Sequence, residues 1–104
     1  MSQIIYNVTM KVDNGIATDW LRWLQQEEIP RIVATGCFTH AVILQLMEVD
    51  NSDGPTYAVQ YHAESKALYN RFIREHSVPL QKIAADTWGS RVVSFRSVLQ
   101  VINE

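Results

Sequence analysis

The sequence predicts an α+β domain whose strands and helices follow the order β-α-β-β-α-β. Four segments show the alternation of apolar and polar residues, or the density of β-branched residues, that is typical of strands. Two longer segments between them carry apolar residues at helical spacing. A chain of 104 residues fits one domain, and we expect residues 1–104 to form it without a linker or an internal repeat.

The first strand and the first helix are clearly marked. Residues 3–12, QIIYNVTMKV, alternate with a period of two and predict a half-buried strand. A turn is expected at residues 13–15. Helical spacing then places Trp20 and Trp23 on one buried side, together with Ile16, Leu24 and Glu27. We expect Pro30 to kink this helix or to begin a second short one, and Gly36 to end it.

The second half of the chain repeats this pattern after an additional strand. Residues 37–49 predict a long strand, and a loop of turn-forming residues separates it from a third strand at 56–62. Helical spacing then runs over residues 63–88, with an interruption expected at Pro79, and residues 91–102 predict the fourth strand. Short connections without knots favour the ferredoxin-like arrangement, an antiparallel sheet of order 4-1-3-2 with both helices on one side.

The pairing of the second and third strands determines which side chains lie on the sheet face away from the helices, here called the open face. If Val49 faces Thr56, His62 lies opposite Ile43, and a slip of one residue would exchange the two faces. On this register the open face mixes polar and apolar side chains, namely Ile5, Asn7, Thr9, Thr39, Ala41, Ile43, Gln45, Met47, Ala58, Gln60, His62, Ser94, Arg96, Val98 and Gln100. This composition is compatible both with water and with a partner.

Four runs carry a resemblance to a known family: IIYNVTMKV, WLRWLQQEEIPRIVATGCF, EVDNSDGPTYAVQY and RSVLQV. They are similar to a small bacterial family of unknown function that resembles the dimeric α/β-barrel superfamily, and the similarity covers nearly the whole chain. In that superfamily two ferredoxin-like subunits press their sheets together into one barrel. The resemblance therefore implies a homodimer whose interface contains a polar network, because each buried unpaired polar group would cost ~1–3 kcal/mol. The residues expected in this network are Asn7, Gln45, Gln60 and Arg96.

The resemblance also implies a small-molecule site between sheet and helices. Quinol-forming antibiotic monooxygenases, lactone isomerases and haem-containing peroxidases of the superfamily hold their ligands there. Tyr6, His40, Tyr57 and Tyr61 from the sheet, with Trp20, Trp23, Phe72 and His76 from the helices, would line that space here. Such a lining suits an aromatic or apolar, weakly acidic molecule. The candidate ligand-binding residues are Tyr6, Trp23, His40, Tyr57, Tyr61 and His76.

The alternative is a filled aromatic core in a structural or regulatory dimerisation module that binds no ligand. No signature of the superfamily's enzymes is matched residue by residue, so we assign no catalytic residue, and whether the protein is an enzyme stays open. Glu27 and Glu28 are interpreted as an exposed helix end. Cys37 is interpreted as an inert thiol without a general base.

Other kinds of function are disfavoured. The predicted register separates His40 from His62 by roughly 10 Å and turns them to opposite faces, so we expect no metal and no other cofactor. The net charge is −2. Aligned with the third strand of RNA-recognition modules, the stacking positions become Thr56 and Ala58, so we expect no nucleic-acid binding. No run of eighteen apolar residues and no secretory signal is visible, so we expect no membrane association and a cytoplasmic protein.

Overall fold

A computed structural model of the chain describes residues 3–103 and confirms the predicted fold. The strands are β1 Ile4–Val12, β2 His40–Gln45, β3 Thr56–Ala63 and β4 Val92–Gln100. The helices are α1 Ala17–Trp23, α2 Ile29–Val33, α3 Lys66–Glu75 and α4 Ser77–Trp88. Short 3-10 turns precede α1 and β4, at Asn14–Ile16 and Gly89–Arg91. The strands form one antiparallel sheet of order β2-β3-β1-β4, which is the predicted order read from the other edge.

A π turn, Leu24–Glu28, joins α1 to α2 without breaking the helical backbone. Within it the amide of Ile29 bonds to the carbonyl of Leu24, five residues earlier. Pro30 has no amide hydrogen, and in a regular α-helix its ring would clash with the carbonyl four residues before it. The wider turn avoids this clash. The interruption predicted at Pro30 therefore takes the form of one π turn.

The third and fourth helices meet at His76, three residues before the predicted interruption. The α3 helix begins where the Ser65 hydroxyl accepts a hydrogen bond of 3.2 Å from the Leu68 amide. The Ser77 hydroxyl donates a bond of 2.8 Å to the Ile73 carbonyl across the junction. Pro79 lies in the first turn of α4, where its missing amide hydrogen is tolerated.

The faces predicted for the two central strands are confirmed. Tyr6 lies opposite Tyr61 on the helix side, and Asn7 lies opposite Gln60 on the open face. The helix-side residues of β1 and β3 form the core with α3 and with the continuous run from α1 through the π turn to α2, here called the long helical segment. The largest fully buried side chains are Trp20, Tyr61, Phe72, Leu24, Val12, Val59 and Cys37.

The faces predicted for β2 were wrong. His40 lies opposite His62, and Gln45 lies opposite Tyr57, so the register differs from the predicted one by three residues. Strand β2 ends at Gln45, which leaves a longer loop before β3 than the prediction assumed. An odd shift exchanges the two faces, because successive side chains alternate across a sheet. His40 therefore lies on the open face, and Gln45 lies on the helix side.

The faces predicted for β4 were wrong as well. Pairing with β1 places Phe95 opposite Thr9 and Ser97 opposite Asn7, both on the open face. Arg96 lies opposite Val8, on the helix side. The sequence had instead predicted Ser94, Arg96, Val98 and Gln100 on the open face. This edge strand instead has aliphatic and aromatic side chains on its exposed face, which is the reverse of the usual pattern.

Candidate functional site

A cavity of about 300 Å³ lies between the sheet and the helices, on the β4 side of the molecule. Strands β1, β3 and β4 form its floor, and the long helical segment, α3 and α4 form its walls. Its aromatic lining consists of Tyr6, Trp20, Trp23, Tyr61, Phe72 and Trp88. Its polar lining consists of Glu28, Ser77, Gln81, Ser94 and Arg96. The cavity is therefore mostly apolar, with a few polar groups that converge on it.

Three of the six predicted ligand-binding residues line this cavity: Tyr6, Trp23 and Tyr61. The other three do not. Tyr57 stacks on Trp20 with ring centroids 5.5 Å apart and faces a shallow depression on the other side of α1. His76 lies at the junction of α3 and α4, with its ring 6.2 Å from that of Phe72.

Dense aromatic packing fills part of the space where the sequence predicted a ligand. The rings of Phe38 and Phe72 are 4.9 Å apart, and Tyr6 lies 6.0 Å from both Phe38 and Tyr61. Such contacts are typical of a packed core. The empty volume is instead bordered by the edge-to-face pair of Trp23 and Trp88, whose centroids are 5.8 Å apart. The open space is thus displaced from β2 towards β4.

Glu28 is the principal cavity residue that the sequence interpretation missed. Its side chain is only 13% exposed, whereas that of Glu27 is 57% exposed. A π turn bonds each residue to the fifth residue along, so the helix phase is delayed by about one residue. Glu28 rather than Glu27 therefore follows Trp23 on the buried side. Pro30, inside an otherwise helical pattern, was the one sequence signal of this irregularity.

The carboxylate of Glu28 is poorly compensated. Its Oε1 atom lies 3.5 Å from Nη1 of Arg31, and neither atom makes a hydrogen bond within the described part of the chain. Burial raises the pKa of Glu28 to about 7, although the charge of Arg31 opposes this shift. Near neutral pH the group is therefore present in both protonation states.

Two phenols and a guanidinium face the same space. Burial raises the pKa of Tyr6, while the neighbouring Arg96 guanidinium lowers it. Burial also raises the pKa of Tyr61, and the charge of Glu28 contributes to the increase at both phenols. Among residues 3–103, no carboxylate lies within salt-bridge distance of Arg96. Arg96 is exposed, so water can solvate its positive charge at the edge of the cavity.

Trp88 adds an unused hydrogen-bond donor. Its indole Nε1 is buried and makes no hydrogen bond with the residues that the structure describes. Buried polar groups are normally paired, because an unpaired one loses its hydration without replacement. The Trp88 ring lines the cavity, whereas its Nε1 atom is shielded from it. Its role was not visible in the sequence, where Trp88 only marks the end of a helix.

The open face has a polar row between apolar rows. Gln60 and Asn7 lie side by side at its centre, with Ser97 beyond Asn7 on β4. Val42 of β2 continues this row beyond Gln60. The rows on either side contain exposed Leu44, Phe95 and Leu99, and exposed Val93 lies one row further. Of the four predicted interface residues, Asn7 and Gln60 lie on this face, whereas Gln45 and Arg96 do not.

His40 and His62 form a stacked pair at one end of the open face. Their ring centroids are 4.3 Å apart and their planes differ by 15°. Burial lowers the pKa of His62, and the proximity of His40 lowers it further. The prediction that these rings lie far apart on opposite faces was wrong, because it used the wrong register. Residues 3–103 nevertheless contain no group of three or more His, Cys, Asp or Glu side chains able to hold a metal ion.

The architecture defines a ferredoxin-like α+β protein with one sheet face covered by helices. The chain belongs to the family described as Domain of unknown function (DUF4286), whose model matches residues 3–102. No curated protein matches the sequence. The family assignment agrees with the resemblance inferred from the sequence.

Solved structures share the fold at low sequence identity. A dimeric ferredoxin-like protein from an uncultured marine organism matches with a TM-score of 0.68 at 9% identity, covering 100% of this chain and 99% of that one. A second such protein from an uncultured marine organism gives a TM-score of 0.57 at 15% identity, with 100% and 91% coverage. A dimeric ferredoxin-like protein of unknown function from Thermobifida fusca YX gives 0.55 at 11% identity, with 97% and 92% coverage.

The described part of the chain includes no helix that combines the length and the hydropathy of a membrane span. The cytoplasmic location expected from the sequence stays a prediction.

Proposed function

We propose that this protein is a homodimer in which each subunit binds a small aromatic or apolar molecule between its sheet and its helices. The observation that carries the proposal is the cavity of about 300 Å³ lined by Tyr6, Trp23, Trp88 and Glu28. Apolar walls with a small number of converging polar groups are typical of small-molecule sites.

The size of the cavity suits a substituted ring. An apolar cavity of about 150 Å³ is large enough to bind benzene. The present cavity has about twice that volume, which leaves room for a ring and one or two substituents. The Arg96 guanidinium favours substituents that contain oxygen.

Homodimerisation is supported by the apolar side chains that β4 exposes on the open face. Strand β4 directs Val93, Phe95 and Leu99 away from the helices and directs Ser94 and Arg96 towards them. A sheet face that is left to water normally has the opposite pattern. The solved structures with the same fold reported above are described as dimeric. We therefore propose that a second copy covers the open face, with Asn7 and Gln60 near the centre of the contact.

The ligand proposal is tested by native mass spectrometry of protein purified gently from its own host. We expect a stoichiometric small molecule on the wild-type chain and its loss from Ala84→Phe, because Ala84 lines the cavity and a phenyl group there would fill it. Ala67→Phe, at an exposed position of α3, is the matched control and should retain the molecule.

Binding of an added probe gives a second measurement. Trp20, Trp23 and Trp88 line the cavity, so phenylacetate should quench tryptophan fluorescence in the wild type and in Ala67→Phe but not in Ala84→Phe. Two results together would overturn the ligand proposal in favour of a dimerisation module without a ligand. These are a bare wild-type chain in the mass spectrum and equal, weak quenching in all three proteins.

A further inference from the structure

We propose that Glu28 is a catalytic base that transfers a proton within a small aromatic or apolar oxo acid, so that the cavity catalyses keto–enol tautomerisation. This inference rests on the proposed binding function and adds to it a reaction and a substrate class. The substrate class follows from three requirements of the cavity: an apolar body for the tryptophans, an anionic group for Arg96 and an acidic C–H bond for Glu28.

The position of the Glu28 carboxylate is the first reason. Glu28 lines the cavity, and its side chain keeps 13% of its surface accessible although Oε1 itself is buried. Arg31, 3.5 Å from the buried Oε1, holds the carboxylate charge at the cavity wall. The π turn places Glu28 at the wall at a cost in regular helix geometry, and such irregular turns frequently occur at functional sites.

The groups around the floor of the cavity are the second reason. Arg96 has no ion-pair partner among the described residues, and a guanidinium fork matches a carboxylate in a bidentate arrangement. Tyr6 lies beside it, and the raised pKa keeps its phenol protonated as a hydrogen-bond donor. A donor of this kind stabilises an oxygen that becomes negative during reaction.

The proposed step balances without any further reactant. The Glu28 carboxylate takes a proton from the carbon beside the substrate's carbonyl group, and the electron pair of that C–H bond forms the carbon–carbon double bond of an enolate. The carbonyl π electrons move to oxygen, where Tyr6 donates a hydrogen bond to the developing negative charge. The protonated Glu28 then gives its proton to that oxygen, which completes the enol and restores the carboxylate. In the reverse direction the carboxylate takes the hydroxyl proton and returns a proton to carbon, and exchange of the Glu28 proton with solvent between these steps introduces deuterium.

The dependence on pH follows from the ionisable groups that face the cavity. From the helical segment these are Glu28 and the adjoining Arg31, and from the sheet they are Tyr6, Tyr61 and Arg96. The lining residues of α3 and α4 contribute no charge. Among these cavity-facing groups, burial places the pKa of Glu28 at about 7 and shifts the pKa of both phenols upward, away from neutral pH. The rate should therefore rise about tenfold from pH 6 to a plateau above pH 8.

The experiment uses phenylpyruvate as the probe. Exchange of its C3 protons with D2O is followed by NMR, and binding is followed separately by tryptophan fluorescence. We expect the wild type to accelerate exchange and Glu28→Gln to lose about 100-fold or more of that acceleration while still binding the probe. Glu27→Gln is the matched control, because Glu27 also contacts Arg31 but is exposed. It should exchange at the wild-type rate.

The outcomes separate the two proposals. Binding of phenylpyruvate by the wild type without faster exchange would overturn proton transfer and leave the binding function standing. Equal losses in Glu27→Gln and Glu28→Gln would also overturn it, because they would reflect a general effect on Arg31. Absence of binding to both phenylpyruvate and phenylacetate would overturn the substrate class together with the binding function.

Discussion

Glu27 and Glu28 show how strongly position decides the chemistry of a side chain. Both carboxylates reach Arg31, at 3.8 Å and 3.5 Å respectively, so the two groups meet the same positive charge. They differ in burial, and burial raises the pKa of Glu28 to about 7. Desolvation therefore outweighs the attraction of Arg31 at Glu28. This is the expected outcome where an ion pair has lost much of its water.

The raised pKa of Glu28 predicts a change of stability with pH. The folded carboxyl group binds its proton more tightly than the unfolded one, whose pKa is 4.5. The resulting stabilisation is complete below pH 4.5 and is lost as the pH rises through about 7. The increase in the pKa of Glu28 from 4.5 to about 7 corresponds to about 3 kcal/mol in the free energy of unfolding.

Urea unfolding between pH 4 and 8 checks this prediction. Glutamine does not titrate, so Glu28→Gln should gain on the wild type by about 3 kcal/mol as the pH rises across this window. Glu27→Gln keeps the Glu28 carboxyl group, so its stability should fall with rising pH as that of the wild type does. A constant difference for Glu28→Gln would show that its carboxyl group has an ordinary pKa in the folded chain.

The sequence could not reveal Glu28 or Trp88 as cavity residues. Periodicity assumes one helical phase, and under that assumption Glu28 points away from the core. The wider turn before Pro30 changes the phase, and its effect on neighbouring residues depends on tertiary packing. Tyr6, Trp23 and Tyr61 were found because their elements are regular and their spacing leaves one buried side.

At the scale of elements, the central strands were more predictable than the edge strands. Alternation in β1 is unambiguous, and β3 contrasts Tyr57, Val59 and Tyr61 with small and polar residues. Strand β4 offers no such contrast, because Ser94 and Arg96 share one face with valines while Phe95 and Leu99 share the other with Ser97. The register of β2 depended on the length of a loop that composition does not specify. An error in either edge strand exchanges all its side chains at once.

The loop before β3 depends on Gly54. Its φ is 143°, a region that only glycine adopts readily, and a Cβ there would overlap the carbonyl oxygen of Val12. The same loop joins the end of β1 through a hydrogen bond of 2.9 Å from the Val12 amide to the Pro55 carbonyl. The packing of this loop against β1 therefore requires a residue without a side chain.

Gly54→Ala should accordingly destabilise the fold by roughly 3 kcal/mol or more, through backbone strain and displacement of the loop. Gly89→Ala is the matched control, because Gly89 also has a positive φ, 59°, but an added Cβ meets no described atom within 4 Å. It should cost about 1–2 kcal/mol. Urea midpoints measure both values, and equal losses would mean that the contact with Val12 contributes nothing.

The whole molecule is thin for a chain of its length. Its principal extents are 41 × 30 × 19 Å, which corresponds to one layer of helices on one sheet. The core therefore lies on one side of the sheet. On the other side, Phe95 keeps 65% of its surface exposed. Four aliphatic side chains on the same face are exposed as well, namely Val42, Leu44, Val93 and Leu99. A second copy placed sheet to sheet would give these residues a second core.

The assembly proposal predicts that Phe95→Glu shifts the protein from dimer to monomer, because a carboxylate buried between two sheets would be desolvated without a partner. Val78→Glu is the control, since Val78 is 73% exposed on α4, away from the open face. It should sediment as the wild type does. Analytical ultracentrifugation at micromolar concentration measures both. A wild-type protein that sediments as a monomer would remove the proposed interface.

Strand β1 separates the two surfaces of the sheet by the parity of the residue number. Even-numbered residues such as Tyr6 face the helices, and odd-numbered residues such as Asn7 face the open side. Adjacent codons thus encode side chains that never share an environment. Over generations, single-base changes can therefore alter the core or the open face independently, although the nine residues of β1 contribute side chains to both surfaces.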